Sequence, residues 1–323
     1  MADGGLTVID GSQLRSVDLS LPESSATLTG ARVIELAESR ASSSLFGLAL
    51  PETLKSAALL RLNIDAGSFS GTELDEDEAA AWLKDLVNAI ADELKDEPLV
   101  VAILDGNTLR LFLEDEDDFA MLAENLFTDL DTEDKGKLRK NEICNALAHM
   151  GVEMGIPPVS EFPQLNDILK KHGAEGEEEL GQAQFAQVLQ PVMQEIAEAL
   201  TAKHVVVIQN IEIINGSKIR KILADEKQLT NVIEKILHEE EGGERNMGEI
   251  RGFLEKNGKE FGLPPSKDDE AVVLLYDGMF SEVENRDNAA RLEKEESVVL
   301  MKEILEKFAE QLEASPVFHD LDN

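Results

Sequence analysis

Only one cysteine, Cys144, occurs in 323 residues. An internal disulfide is therefore excluded, and a reducing compartment suits the chain. Aromatic side chains are scarce, with a single tryptophan (Trp82) and a single tyrosine (Tyr276), so aliphatic residues must build the cores. Long apolar runs are missing too. Stretches such as Leu99–Leu104 and Val205–Ile208 fall far below the ~20 residues of a membrane span. No charged segment followed by an apolar stretch opens the chain, so no secretory signal is expected, and Met1-Ala2 lacks the glycine that myristoylation needs. Asn215-Gly216-Ser217 has the form of a glycosylation sequon but reads as a turn. The expected home is the cytoplasm, with the nucleus as a second compartment.

Basic residues are in deficit, 30 against 66 acidic ones, for a formal charge of −36. Such a chain repels phosphate backbones and anionic lipid surfaces, so nucleic acid and membrane are both poor partners. Cations and proteins with basic surfaces are favoured. Enzyme signatures are absent as well. The five histidines, His149, His172, His204, His238 and His319, show no metal-ligand spacing. No Walker loop, dinucleotide glycine fingerprint or nucleophile elbow occurs, and Cys144 falls on a predicted helix face. The chain is expected not to be an enzyme.

What the sequence does contain is repetition. Asp105-Gly106-x-x-Leu109-Arg110 returns as Asn215-Gly216-x-x-Ile219-Arg220, and Leu113-x-Asp115-Glu116 returns as Leu223-x-Asp225-Glu226 at the same spacing. Glu142-Ile143, Leu147 and Gly155-Ile156-Pro157-Pro158 return as Glu249-Ile250, Leu254 and Gly262-Leu263-Pro264-Pro265, with three residues lost between the two anchors. A fainter copy begins at Val8-Ile9-Asp10-Gly11-x-x-Leu14-Arg15 and includes Phe46-Gly47-Leu48. Three modules follow, over 1–97, 98–202 and 203–323. Each opens with a short apolar strand and an Asp-Gly or Asn-Gly turn.

Helical periodicity then takes over. Phe119, Leu122, Leu126 and Phe127 share one face of Asp118–Leu130, as do Ile143, Ala146, Leu147 and Met150 after the intervening loop. Further helices are expected over Phe162–Lys171, Gln182–Leu200 and Glu293–Leu312. The acidic run Asp75–Glu78 reads as the first turn of the helix bearing Trp82, where carboxylates suit the macrodipole. The fold class is mainly α: three tandem modules of helix–loop–helix pairs with short β stubs.

One loop carries candidate chemistry. With Asp131 at its first position, Asp131–Glu142 is a twelve-residue loop with Gly136 at the sixth. Calcium is a hard cation that takes six to eight oxygens, so such a loop must converge ligands from positions 1, 3, 5, 7 and 12. Those positions are Asp131, Glu133, Lys135, Lys137 and Glu142. Lys137 can contribute its backbone carbonyl, and Leu138 at position 8 is placed to bridge to a second loop. Lys135 stands where an oxygen ligand should be. Four bases (Lys135, Lys137, Arg139, Lys140) balance four acids (Asp131, Glu133, Asp134, Glu142), which weakens any binding. The expected partner loop is 173–184, with Leu180 at position 8. Gly173 and Gln184 stand at its ends, so it pairs without ligating. In the third module His238–Gly248 is too short to wrap an ion. Asn285–Glu296 keeps ligand types at positions 1, 3 and 12 but lacks the glycine.

From Asp118 to Leu189 these residues resemble the EF-hand superfamily. Together with the Asp105-Gly106 opening and Phe112–Phe119, they resemble a family of plant EF-hand proteins that have one near-normal loop and several degenerate ones. The resemblance implies a calcium sensor acting on a protein partner, in that family a stress-activated kinase related to the sucrose-nonfermenting kinase, with Asp131, Glu133 and Glu142 as ligands. The alternative is a calcium-independent interaction scaffold. Met121, Met150, Met154 and Met193 are candidates for a Met-rich groove, although such spacing more often marks core.

Overall fold

The computed structural model describes residues 5–22, 28–225, 227–231, 247–265, 270–283 and 294–321. The chain is mainly helical with small sheets. Strand β1 (Leu6–Ile9) leads through a short 3-10 turn to β2 (Leu28–Thr29), α1 (Gly30–Ser44), α2 (Glu52–Arg61), α3 (Ala66–Ser70), β3 (Glu73–Leu74) and α4 (Glu76–Asp96). The next stretch runs β4 (Leu99–Leu104), α5 (Asn107–Glu114), α6 (Glu116–Leu130), β5 (Leu138–Arg139), α7 (Glu142–Met150), α8 (Gln164–Lys171), β6 (Glu179–Leu180), α9 (Gln182–Ala202) and β7 (Val205–Ile208). Last come β8 (Ile211–Ile214), α10 (Ser217–Ala224), α11 (Met247–Phe261), α12 (Glu270–Val283), α13 (Lys294–Ala314) and β9 (Val317–Asp320).

Helix starts follow local chemistry. The Asp115 carboxylate accepts from the N–H groups of Asp117 and Asp118 at 2.9 and 3.1 Å, capping α6, whose first turn is wholly acidic. At α4 the caps are reciprocal, because Asp75 accepts from the Glu78 N–H while Glu78 accepts from that of Asp75. The Asp75–Glu78 run is thus the helix start that the sequence predicts.

Packing divides the chain into two compact units, residues 1–91 with 100–209, and 92–99 with 210–323. The first holds most of the stretches expected as modules 1–97 and 98–202, and the second holds most of 203–323. The physical reason is a shared strand. In the first unit β4 lies between β1 and β7 in one three-stranded sheet, so the strand that opens the second repeat also pairs with the opening strand of the first. Strand β7 pairs antiparallel with β4, Leu104 opposite Val205 and Val101 opposite Ile208. In the second unit β8 pairs antiparallel with β9, Ile214 opposite Val317. Residues 92–99 join the second unit because Asn215 donates to the Lys95 carbonyl at 3.1 Å and Lys221 pairs with Asp96 at 3.0 Å.

One arrangement recurs at each repeat. A glycine in the left-handed region follows the opening strand: Gly11 at φ 75°, Gly106 at φ 83° and Gly216 at φ 78°. Each lies against an alanine on the long helix that ends its repeat, Ala91 on α4, Ala197 on α9 and Ala309 on α13. All three helices are 21 residues long, and the alanine holds the same place in each. A Cβ on Gly106 would stand 2.3 Å from the Ala197 carbonyl oxygen.

The core of the second repeat fills the space around α9. Phe119, Leu122, Leu126 and Phe127 of α6 and Ile143, Leu147 and Met150 of α7 pack there against Phe185, Leu189 and Met193. Phe127 meets Phe185 edge-on, with centroids 5.6 Å apart. The second unit has its own core around Tyr276, Phe280 and Phe308. Gly106→Ala is expected to destabilise the first unit by about 3 kcal/mol, combining steric overlap with a left-handed φ. Gly47→Ala, at φ 77° with nothing within 4 Å of the added methyl, is expected to cost only about 1 kcal/mol. Urea denaturation of the full chain distinguishes the two.

Candidate metal centre

Loop 131–142 leaves α6 at Asp131 and enters α7 at Glu142. The Asp131 carboxylate organises its first half. One oxygen accepts from the Lys135 N–H at 2.9 Å and the other from the Gly136 N–H at 2.6 Å. The Asp131 carbonyl takes the Asp134 N–H at 2.9 Å. Gly136 then turns the chain at φ 68°, where a side chain would be strained. Beyond the turn Leu138 is buried and pairs with Leu180, and Arg139 pairs with Glu179. This is the bridge between loops 131–142 and 173–184 that the sequence predicts.

The bridge sets the register of an ionic ladder. Lys137 reaches Glu179 at 3.1 Å, Arg139 reaches Glu177 at 3.1 Å, and Lys140 pairs with Glu178. Backbone bonds run beside it, from Lys140 N–H to the Glu178 carbonyl at 2.9 Å and from Asn141 N–H to the Gly176 carbonyl at 3.1 Å. Three of the four bases in the first loop are therefore matched by consecutive acids of the second. Lys135 differs, since its ammonium sits on Glu133 within its own loop. That contact holds the Glu133 carboxyl below the usual range and raises the Lys135 ammonium.

Glu142 begins α7 and is half-buried, with its carboxylate accepting from the Asn145 side-chain amide at 2.6 Å. The equivalent residues elsewhere act as caps. Gln184, four residues after Leu180, accepts from the Gly181 N–H at 3.1 Å, and Glu78, four after Leu74, accepts from the Asp75 N–H at 3.2 Å. Asp131, Glu133 and Glu142 are thus placed on one loop but do not converge. Among the described residues no group of three or more His, Cys, Asp or Glu side chains is gathered to hold a metal ion. The oxygen donors present suit a hard cation such as calcium, and Lys135 leaves the set one oxygen short.

A second loop pair escaped sequence reasoning. Strands β2 and β3 pair antiparallel, Leu28 opposite Leu74 and Thr29 opposite Glu73, as Leu138 opposes Leu180. A search for carboxylates cannot find it, but an apolar signal can. Leu28, Leu74, Leu138 and Leu180 are each followed five residues later by a fully buried side chain: Val33, Ala79, Ile143 and Phe185. Of the methionines considered for a groove, Met150 and Met193 are buried core, Met154 is half-buried against it and Met121 is exposed. The shortened stretch His238–Gly248 and the candidate loop Asn285–Glu296 lie largely outside the described residues.

Comparison with known protein families, curated proteins and solved structures finds no match. No helix of the described residues is long and apolar enough to cross a membrane.

The second loop is anchored at its entry. Lys171 bonds both Glu195 oxygens at 2.8 Å, and the His172 Nε2 lies 2.6 Å from one of them. These contacts, Lys171 first, hold the Glu195 carboxyl below its ordinary value. A depressed carboxyl stabilises the fold above its unfolded pKa, and the contribution is lost as pH falls through the folded value. Glu195→Gln is therefore expected to lower the melting temperature at pH 7 by a few degrees, about 1 kcal/mol for a partly exposed pair. The gap to wild type should close below about pH 4. A thermal melt series across that range measures it.

Proposed function

We propose that this chain is an EF-hand-type calcium-binding protein that regulates a protein partner, with loop 131–142 as its calcium site. Asp131, Glu133 and Glu142 supply carboxylates and Lys137 its backbone carbonyl. When bound, calcium would neutralise the carboxylates of the loop and draw them together. The observation that carries this reading is the contrast at the twelfth loop position. Glu142 accepts from a neighbouring side-chain amide, whereas its counterparts Glu78 and Gln184 cap their own helices. Supporting it are the Asp131 contacts to the N–H groups of the fifth and sixth positions, which give the loop its turn.

The acidic surface suits a partner with a basic face. The resemblance to plant EF-hand proteins makes a stress-related protein kinase in the cytoplasm or nucleus the first partner to test. A second reading, a calcium-independent scaffold, draws support from the ionic ladder, because three charge pairs already brace the two loops.

Calorimetric titration of the full chain with calcium at physiological salt separates the readings. The expected result is a binding heat with a dissociation constant of about 10⁻⁴ to 10⁻³ M that Glu142→Gln abolishes. Matching isotherms for wild type and variant would sink the calcium reading and favour the scaffold.

A further inference from the structure

We infer that Lys135 sets the calcium affinity of loop 131–142 by acting as a tethered cation on Glu133, the carboxylate that calcium would otherwise take. This rests on the calcium reading above and names what tunes that site.

The four bases of the loop divide by where they point. Lys137, Arg139 and Lys140 face Glu179, Glu177 and Glu178 on the other loop, so their charges are matched pairwise outside the candidate ligand set. Lys135 pairs with a candidate ligand. It also occupies the fifth position, immediately before the glycine turn, with its backbone N–H on Asp131. Lys135 therefore contacts the first ligand position through its backbone and the third through its side chain. The pair is about two-thirds exposed on both sides, 66% for Lys135 and 67% for Glu133. An ion pair this wet adds little to fold stability. Its effect falls on any ion that must share Glu133.

Two costs follow for calcium. The ammonium must leave Glu133, and it then remains nearby as a like charge. A divalent ion and an ammonium roughly 6 Å apart in water repel enough to weaken binding about tenfold. A missing ligand at the fifth position is a separate deficit, and the two can be told apart by substitution. Lys135→Met removes the cation and supplies no oxygen, whereas Lys135→Asp removes it and adds one.

The test is calorimetric titration of the full chain with calcium for wild type, Lys135→Met, Lys135→Asp and Lys137→Met. Far-ultraviolet circular dichroism checks that each exposed-site variant keeps its helix content. Lys135→Met is expected to bind about tenfold tighter than wild type and Lys135→Asp tighter still. Lys137→Met should gain less than about threefold. Adding Glu133→Gln to Lys135→Met should remove most of the gain. The inference is overturned if Lys135→Met stays within about twofold of wild type, which includes the case where only Lys135→Asp gains. It is equally overturned if Lys137→Met gains as much as Lys135→Met, because general charge then explains both. A Glu142-dependent wild-type isotherm beside an unchanged Lys135→Met sinks the Lys135 role alone. No Glu142-dependent heat in any variant sinks the calcium reading as well.

Discussion

Close approach between a turn and a helix organises each repeat. Gly11, Gly106 and Gly216 sit in the left-handed region with their backbones against Ala91, Ala197 and Ala309. The turn residue must be glycine, since a methyl on Gly106 would overlap a carbonyl oxygen on α9. The contact fixes where the opening strand lies on the long helix. In the second repeat α9 also carries Phe185, Leu189, Val192, Met193 and Ile196, so locating it locates most of the core. The strand after each long helix can then return beside the opening strand, as β7 does on β4 and β9 on β8.

The loop pair depends on that core. Leu138 and Leu180, on opposite strands of a two-residue ladder, reach into it from the same face, and α6, α7 and α9 pack around them. Once the ladder is in register, Lys137, Arg139 and Lys140 face three consecutive glutamates, and the loops are braced by the protein's own charges. Calcium in such a pair has less left to organise than in a loop pair without internal counter-charges. The first repeat has a comparable ladder at Leu28 and Leu74 without the acidic ligand pattern. Loop pairing thus occurs there without the ligand spacing of loop 131–142.

Much of the local structure was legible because its signals act within a turn or two. The Asp-Gly and Asn-Gly openings predicted strand, turn and helix, and the structure has β4 before Gly106 and β8 before Gly216. Gly136, the buried faces of α6 and α7, and the Leu138–Leu180 bridge all follow from periodicity and loop position. The expected helix over Phe162–Lys171 begins instead at Gln164, with Phe162 buried in the turn before it. The apolar run opening the third repeat proved to be two strands, of which β7 belongs to the first unit and β8 to the second.

The sequence by itself determined the helical class, the repeat, the left-handed turns, the acidic surface and the identity of the candidate ligands. Each depends on a residue's own conformational preference or on neighbours a few positions away. Only the tertiary structure decided that β4 serves two repeats, that Glu142 escapes the capping role of Glu78 and Gln184, and that three bases face the second loop while Lys135 turns onto Glu133. The shared strand and the three cross-loop pairs depend on register between segments far apart in the chain, whereas the Lys135–Glu133 and Glu142–Asn145 contacts are local ones. A slip of one residue in the Leu138–Leu180 ladder would turn the leucines out of the core and re-pair the charges beside them. Burial of those two leucines makes the register unique, and the charges follow it.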